Sequence, residues 1–299
     1  MNLLKLTDDY AHEPSEDPTW QESYYFNWVD IEAGLSGFST IRFLPNAQNT
    51  NFVFVLFHEN KREVYNVESQ EVIFDNFKNS LSNGVLSYEV VEPFKEWRIL
   101  HKGDSLNADL RWIARFPAYD FYGENSTPWK GHFEQSGVVI GTIRLSDGRE
   151  IKIEGLSERD KSWGERDLYL EDWYAFHAQF DNFSVGIRID TVKGEKQISG
   201  GISSKNGNVR LEKMKVNTKF IDDSIRMPIG STTKVYGADS SCYTFKSNLI
   251  SPMSFIRFEW RFPGGRTELF ENMVVHECLE LDARGTGLTE WLFTYKEGS

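Results

Sequence analysis

Sulfur, surplus positive charge and long apolar runs are all scarce in this 299-residue sequence, and each shortage removes a class of protein. Two cysteines, Cys242 and Cys278, are too few for a disulfide framework; one bridge between them stays open, and a reducing compartment is the simpler reading. The net charge of -12 repels phosphate backbones and anionic membranes, and the basic residues of segment 205–219 are interrupted by Asn, Glu and apolar residues, as on a solvated strand face. No nucleic-acid partner is expected. No segment approaches the roughly 18–20 apolar residues of a membrane-spanning helix. Residues 1–6 run at once into Thr7-Asp8-Asp9 without the apolar region of a signal peptide. A cytoplasmic protein without membrane insertion is expected.

Familiar catalytic signatures are missing too: there is no G-x-S-x-G, P-loop, H-E-x-x-H or paired C-x-x-C. Gly137-Val138-Val139-Ile140-Gly141 lacks the spacing of a dinucleotide fingerprint, and His276 with Cys278 supplies only two ligands without a matching partner motif. Neither a cofactor nor a metal ion is expected. Helical periodicity is confined to one amphipathic turn over residues 74–82, several of whose residues form helices poorly.

Aromatic residues are abundant: 22 Phe, 12 Tyr and 9 Trp, side chains that fill wide β cores and line pockets for bulky apolar ligands. Nearly every periodic segment alternates with a step of two, as in residues 38–43 and 52–57, and similar segments recur at intervals near ten residues up to residue 295. Asp147-Gly148, Asn206-Gly207 and Pro263-Gly264-Gly265 supply turn chemistry between them. About fifteen antiparallel strands are more than one open sheet holds comfortably. The expected fold class is therefore all-β, as two tandem antiparallel barrels packed side by side, with residues 127–131 as a loop over a barrel mouth.

Four clusters carry the candidate chemistry. Leaving a strand, residues 155–167 place Arg159-Asp160 and Arg166-Asp167 seven residues apart around a Trp163-Gly164 corner. Guanidinium forks clamp carboxylates, and an indole walls a pocket, so the run reads equally well as an ion-pair corner (Arg159, Arg166, Asp167) or as an acid site centred on Asp160. His132 and Glu134 share one face of an extended segment, with Phe133 and Gln135 on the other; they suit an acid–base couple, two metal ligands or a hydrogen-bonded strand pair. Residues 20–28 put Glu22 among aromatics on one face with Tyr24 and Phe26, while Tyr25 faces the other way and Trp20 begins the run. Trp173 and His177 share a face of residues 173–180 that is a polar lumen if Tyr174, Phe176 and Phe180 form the core.

Together, Asp9-Tyr10-Ala11-His12-Glu13, Trp20-Gln21-Glu22-Ser23-Tyr24-Tyr25-Phe26, His132-Phe133-Glu134-Gln135 and Arg159-Asp160-Lys161-Ser162-Trp163-Gly164-Glu165-Arg166-Asp167 resemble the hydroxyneurosporene synthase-like superfamily (carotenoid 1,2-hydratase, AttH-type). They resemble in particular its bacterial branch with H-Y-E-Q and R-D-H-S-W-G-x-R-D motifs. The resemblance implies two lipocalin-like (calycin-type) barrels, at residues 1–168 and 169–299, and a lipophilic small-molecule partner. It also implies relatives that hydrate carotenoid ends, cyclise tocopherol precursors or catalyse cofactor-free Diels–Alder reactions. Lys161 stands where the bacterial relatives usually carry His; if that His is their proton donor, this chain is either inactive or uses Lys161 or His132 instead. The expected activity is a cofactor-independent lyase or isomerase, with Asp160, Glu22 and His132 catalytic. Trp20, Tyr24, Tyr25, Glu134, Trp163, Trp173 and His177 would contact substrate. The alternative is a non-catalytic carrier of a hydrophobic ligand.

Overall fold

The computed structural model describes residues 4–70, 80–121, 130–166, 170–222 and 226–296. Described residues up to Arg166 form one compact unit, and those from Leu170 onward form a second. Apart from two short 3-10 turns, Leu6–Asp9 and Pro45–Ala47, the described regular structure is all strand. No described helix is long and apolar enough to cross a membrane.

The first unit holds β1 (Gln21–Asp30), β2 (Leu35–Leu44), β3 (Asn49–His58), β4 (Lys61–Ser69), β5 (Ser80–Ser82) and β6 (Leu86–Glu92), followed by β7 (Glu96–Lys102), β8 (Leu106–Ala114), β9 (Tyr119–Asp120), β10 (Gly131–Leu145) and β11 (Glu150–Gly164). They form one antiparallel sheet in the order β4-β3-β2-β1-β11-β10-β8-β7-β6-β5, with β9 beside β10. The sheet curls until its two halves share one core. Tyr24, Phe26 and Trp28 of β1 meet Phe54, Tyr88, Trp97 and Trp112 from β3, β6, β7 and β8. Phe26 lies 5.2 Å from Tyr88 and 5.6 Å from Trp97 between ring centroids. At about 25 cal/mol per Å² and about 150–250 Å² per ring, each such side chain contributes several kcal/mol of burial.

The second unit holds β12 (Leu170–Gln179), β13 (Phe183–Val192), β14 (Glu195–Ser204), β15 (Gly207–Phe220) and β16 (Pro228–Gly237), followed by β17 (Cys242–Leu249), β18 (Phe255–Phe262), β19 (Gly265–Cys278) and β20 (Ala283–Lys296). Its order is β17-β16-β15-β14-β13-β12-β20-β19-β18, and a further β17–β19 pairing closes eight of the nine strands into a barrel. Tyr174, Phe176, Ile187, Phe245, Phe270 and Trp291 are among the side chains that fill its interior. An all-β architecture with a closed barrel and a curled, barrel-like sheet is the fold class that the alternation announced.

Three features of the chain depart from the sequence reading. The strand expected at 137–145 starts at Gly131, and the one expected at 150–156 runs on to Gly164, so the motif-bearing runs are sheet up to the Trp163-Gly164 corner. The expected turn over 74–82 lies outside the described residues as far as 79, and residues 80–82 are β5. Of the expected loop 127–131, residues 127–129 lie outside the described residues and Gly131 opens β10. Cys242 and Cys278 are both free thiols.

Candidate functional site

Strand β11 lies between β1 and β10, and its register sorts the motif residues into two groups. His132 pairs with Ser162 and Glu134 with Asp160 across β10–β11, while Ser23 and Tyr25 of β1 oppose Ser162 and Asp160 from the other side. Glu22, Tyr24 and Phe26 oppose Trp163, Lys161 and Arg159, which in turn face Gly131, Phe133 and Gln135. Directly opposed residues share a face, and neighbours along a strand alternate. Arg159, Lys161 and Trp163 therefore point toward the aromatic core, and Asp160 and Ser162 point away from it. Arg159 and Asp160 do not clamp each other, because they leave the strand on opposite sides.

The core-facing group is a network of buried ion pairs. Arg159 Nη1 donates to Asp9 Oδ1 at 2.5 Å, and both side chains are buried. Asp9 Oδ2 accepts from the Phe94 N–H at 2.6 Å and from Trp97 Nε1 at 3.2 Å. Gln135 Oε1 accepts from Arg159 Nε and Nη2 at 3.1 and 2.9 Å, and the guanidinium carbon lies 4.9 Å from the Trp112 ring centroid and 5.0 Å from that of Phe133. Lys161 Nζ meets Glu22 Oε1 at 2.7 Å and donates to the carbonyls of Asp8 and Tyr10 at 2.8 and 2.5 Å. His12 closes the group, with its N–H on Glu22 Oε2 at 2.9 Å and its ring stacked on Trp163 at 4.1 Å.

Burial drives the Glu22 carboxyl upward, but the Lys161 ammonium and the His12 hydrogen bond outweigh it and hold it below the usual range. Burial pulls Lys161 below the ordinary lysine range against the opposing pull of Glu22, and pushes the Tyr24 phenol well above its ordinary value, with Glu22 adding to that shift. The network fastens residues 5–12 across the sheet. Glu22 and Tyr24 belong to this fastening, and Glu22 is an ionised partner of Lys161 rather than a neighbour of Asp160.

Glycine makes the tight fit feasible at two points. A Cβ on Gly131 would lie 2.1 Å from the Trp163 indole, so only glycine lets that ring lie flat on β10. Gly164, at φ 111°, supplies the bend after Trp163. Beyond it Glu165 bonds Lys130 and Ser15, and Arg166 donates to the Gln21 carbonyl and the Ser162 hydroxyl at 3.3 Å. Asp167 lies outside the described residues. Trp20 is buried just ahead of β1.

The opposite face holds the titratable group best suited to chemistry. His132 Nε2 hydrogen-bonds Asp160 Oδ2 and stands 3.9 Å from Glu134 Oε1. The imidazole is 1% exposed, whereas the Asp160 side chain is 22% exposed and is the accessible member of the pair. Phe121 stacks on the imidazole at 4.4 Å, and its backbone N–H binds the His132 carbonyl. In the adjoining rows Ser23 and Ser162 share a hydrogen bond at 2.9 Å, Tyr25 stacks on Phe38 at 5.6 Å, and Asn27 donates to Glu158 at 2.6 Å. His132, Glu134 and Asp160 each offer one ligand atom, all within 4.8 Å of one another, a grouping able to take a divalent cation as well as a proton. Sequence inspection passed over Phe121, Asn27 and Glu158. Asn27 shares parity with Tyr25 on β1, and Glu158 shares parity with Asp160, the latter legible only once β11 is known to continue past residue 156; Phe121 carries no such signal.

In the second unit Trp173 and His177 occupy the face of β12 that turns away from Tyr174, Phe176 and the barrel core. His177 is buried, and Trp173 lies beneath the Arg188 guanidinium at 4.5 Å. That face also carries a buried, bidentate Arg188–Asp190 pair at 2.6–3.1 Å. The polar face is thus the outer side of the barrel wall rather than its lumen. His276 and Cys278 point inward; His276 donates from Nε2 to the His177 carbonyl at 3.1 Å and accepts at Nδ1 from Ser247 at 2.9 Å.

Comparison with solved structures finds the same architecture in a hydratase, in CghA and in a protein of the AttH type. A protein described as AttH from Nitrosomonas europaea superposes with a TM-score of 0.72 at 14% identity, covering 97% of this chain and 96% of that one. Kievitone hydratase from Nectria haematococca gives 0.68 at 13%, covering 98% and 93%. CghA, crystallised with Sch210972, gives 0.67 at 9%, covering 94% and 90%. At these identities the likeness establishes the fold. No curated protein sequence matches the chain. A family model does match, over residues 5–294, and the chain accordingly belongs to the family described as a domain of unknown function, DUF7064.

Proposed function

We propose that this chain is a cofactor-independent lyase or isomerase, a hydratase or cyclase, acting on a large lipophilic molecule of isoprenoid or polyketide type. Asp160 and His132 are its acid–base couple. The observation that carries the reading is their hydrogen bond on the face turned from the core, with the imidazole sealed under Phe121 and the carboxyl group accessible. A protonated Asp160 gives its proton to a substrate double bond, and the cation that forms is stabilised by aromatic faces such as Tyr25 beside Phe38. Water or an internal hydroxyl then adds to the cation and gives up its extra proton, or an internal double bond captures the cation and the new cation loses a neighbouring C–H proton; in each case the proton returns to Asp160, the accessible member of the couple, with His132 as its hydrogen-bond partner. Glu134 Oε1 stands 3.9 Å from the imidazole, on the same face as the couple.

Two further lines support the assignment. The motif run resembles that of the carotenoid hydratase-type superfamily, and the fold is shared with kievitone hydratase and with CghA, seen with Sch210972. Lys161 is committed to Glu22 and two carbonyls, which leaves His132 as the histidine next to the acid. The test is incubation with a library of polyprenyl and polyene compounds, read by mass spectrometry as gain of one water or as an isomer of unchanged mass. Wild type is expected to convert at least one member, and Asp160→Asn and His132→Gln to convert none at a comparable rate. Equal turnover by all three proteins, or no product from wild type, refutes the assignment.

A further inference from the structure

The outward face of β10 and β11 gathers metal ligands that the acid–base reading does not use as such. His132 and Glu134, two apart on β10, and Asp160, directly opposite Glu134 on β11, offer one ligand atom each, all within 4.8 Å of one another. His132 Nε2 stands 3.9 Å from Glu134 Oε1 and is hydrogen-bonded to Asp160 Oδ2. A tetrahedral ion with bonds of about 2.0–2.2 Å spaces its ligand atoms roughly 3.3–3.6 Å apart. The first gap therefore closes slightly on binding, and the hydrogen bond opens. That opening falls on Asp160, which is 22% exposed and on a different strand from the other two. The imidazole stays fixed, stacked under Phe121 at 4.4 Å with the Phe121 N–H on its carbonyl, and contacts that hold a ligand's orientation are what a metal centre rests on.

The surroundings favour a dication. Two carboxyl groups join one imidazole, and the cations of the same strand, Arg159 and Lys161, are turned to the core and bound there to Asp9 and Glu22. In the next row of the outward face Asn27 gives its amide N–H to Glu158 at 2.6 Å, and a Glu158 carboxylate oxygen lies within 4.8 Å of one on Glu134. Asn27 is 1% exposed, yet its Oδ1 has no hydrogen-bond partner among the described residues. A buried acceptor of this kind calls for a donor, and water on a bound ion supplies one. An imidazole beside carboxylate oxygens suits zinc and its neighbours among the transition metals better than magnesium or calcium, which take oxygen alone.

We propose that His132, Glu134 and Asp160 bind one divalent transition-metal ion of the zinc type, with Asn27 Oδ1 accepting from a water on the ion. Such an ion takes the imidazole lone pair and the carboxylate of the acid–base couple, so it inhibits the chemistry proposed above rather than serving it; this consequence rests on that reading, whereas the site does not. The test titrates the metal-free full chain with Co²⁺, followed by visible absorption, and then displaces it with Zn²⁺. Wild type is expected to take up one ion. His132→Gln, Glu134→Gln and Asp160→Asn, each checked for folding by its melting temperature, should bind about tenfold or more weakly. Asp147→Asn, on an exposed hairpin, should bind as wild type does. X-ray absorption at the zinc edge of the wild-type protein, which needs no variant to fold, should show imidazole among oxygen ligands. No saturable uptake, full affinity in any of the three site variants, or a zinc shell without imidazole overturns the site. Turnover unchanged by saturating Zn²⁺ overturns the inhibition, and a metal-free wild type that converts nothing refutes the activity alone, since the binding measurements need no turnover.

Discussion

Alternate residues of one five-residue segment do opposite work. On the core side Arg159, Lys161 and Trp163 are spent on holding the N-terminal segment, each charge met by a carboxylate and further hydrogen bonds. On the other side Asp160 is partly exposed and shares a hydrogen bond with a buried imidazole. A titratable group locked among fixed partners stores specificity of fold; one left accessible beside a buried base is able to exchange a proton. The difference teaches that a charged motif in a strand is two motifs of step two, and that mutations along it should separate stability from chemistry.

The largest expected effect lies on the face turned from the core. His132→Ala should lower turnover by about 10²–10⁴-fold, an effect far larger than the modest loss of melting temperature that follows from removing a buried ring stacked under Phe121. Parallel activity and thermal-melt measurements decide it; a matching collapse in both would erase the distinction between faces.

Next come the buried pairs. Lys161→Met leaves the Glu22 carboxylate buried without its ammonium, and Arg159→Met does the same to Asp9. Each should cost about 3–5 kcal/mol in urea unfolding. The double replacement Glu22→Gln with Lys161→Met should recover a large part of that loss, and additivity of the two single losses would show that the pair is not a coupled unit.

A smaller effect sharpens the same comparison. Gly131→Ala forces a methyl group to within 2.1 Å of the Trp163 ring and should cost about 1–3 kcal/mol, with a shift in tryptophan emission as the indole leaves His12. Unchanged emission and stability would mean that the ring is not held flat on β10.

The smallest effect near neutrality concerns a histidine with no carboxylate beside it among its described contacts. Burial pushes His276 down to about 3 from an ordinary value of 6.5. Between those values the unfolded chain binds a proton that the folded chain does not, so stability is complete above pH 6.5 and falls as the pH drops toward 3. His276→Asn should flatten that part of the stability profile; an unaltered slope would assign the acid sensitivity to other groups.

Much of this was legible before any coordinates. The step-two alternation gave the strands, and it placed His132 with Glu134, and Glu22 with Tyr24 and Phe26, on shared faces. What local pattern does not contain is register between distant segments. Arg159 and Asp9 are 150 positions apart, as the hydrogen bond that joins them spans, and His132 and Asp160 are 28 apart. Glu22 and Asp160 therefore looked interchangeable as acids, although pairing sets Glu22 opposite Trp163 and Asp160 opposite Tyr25, on different faces. Strand length was the other blind spot. Charged residues from Glu158 to Lys161 resemble a loop by composition, yet each is buried or half-buried in a strand flanked on both sides, where tertiary partners override propensity.

The whole account turns on whether the carboxyl group bonded to His132 is the proton donor. The direct measurement is the turnover number of Asp160→Asn on a substrate that wild type converts, with the melting temperature taken on the same sample. The account predicts a folded protein with wild-type stability and a rate lowered by about 10²-fold or more; a folded Asp160→Asn protein turning over at the wild-type rate contradicts it.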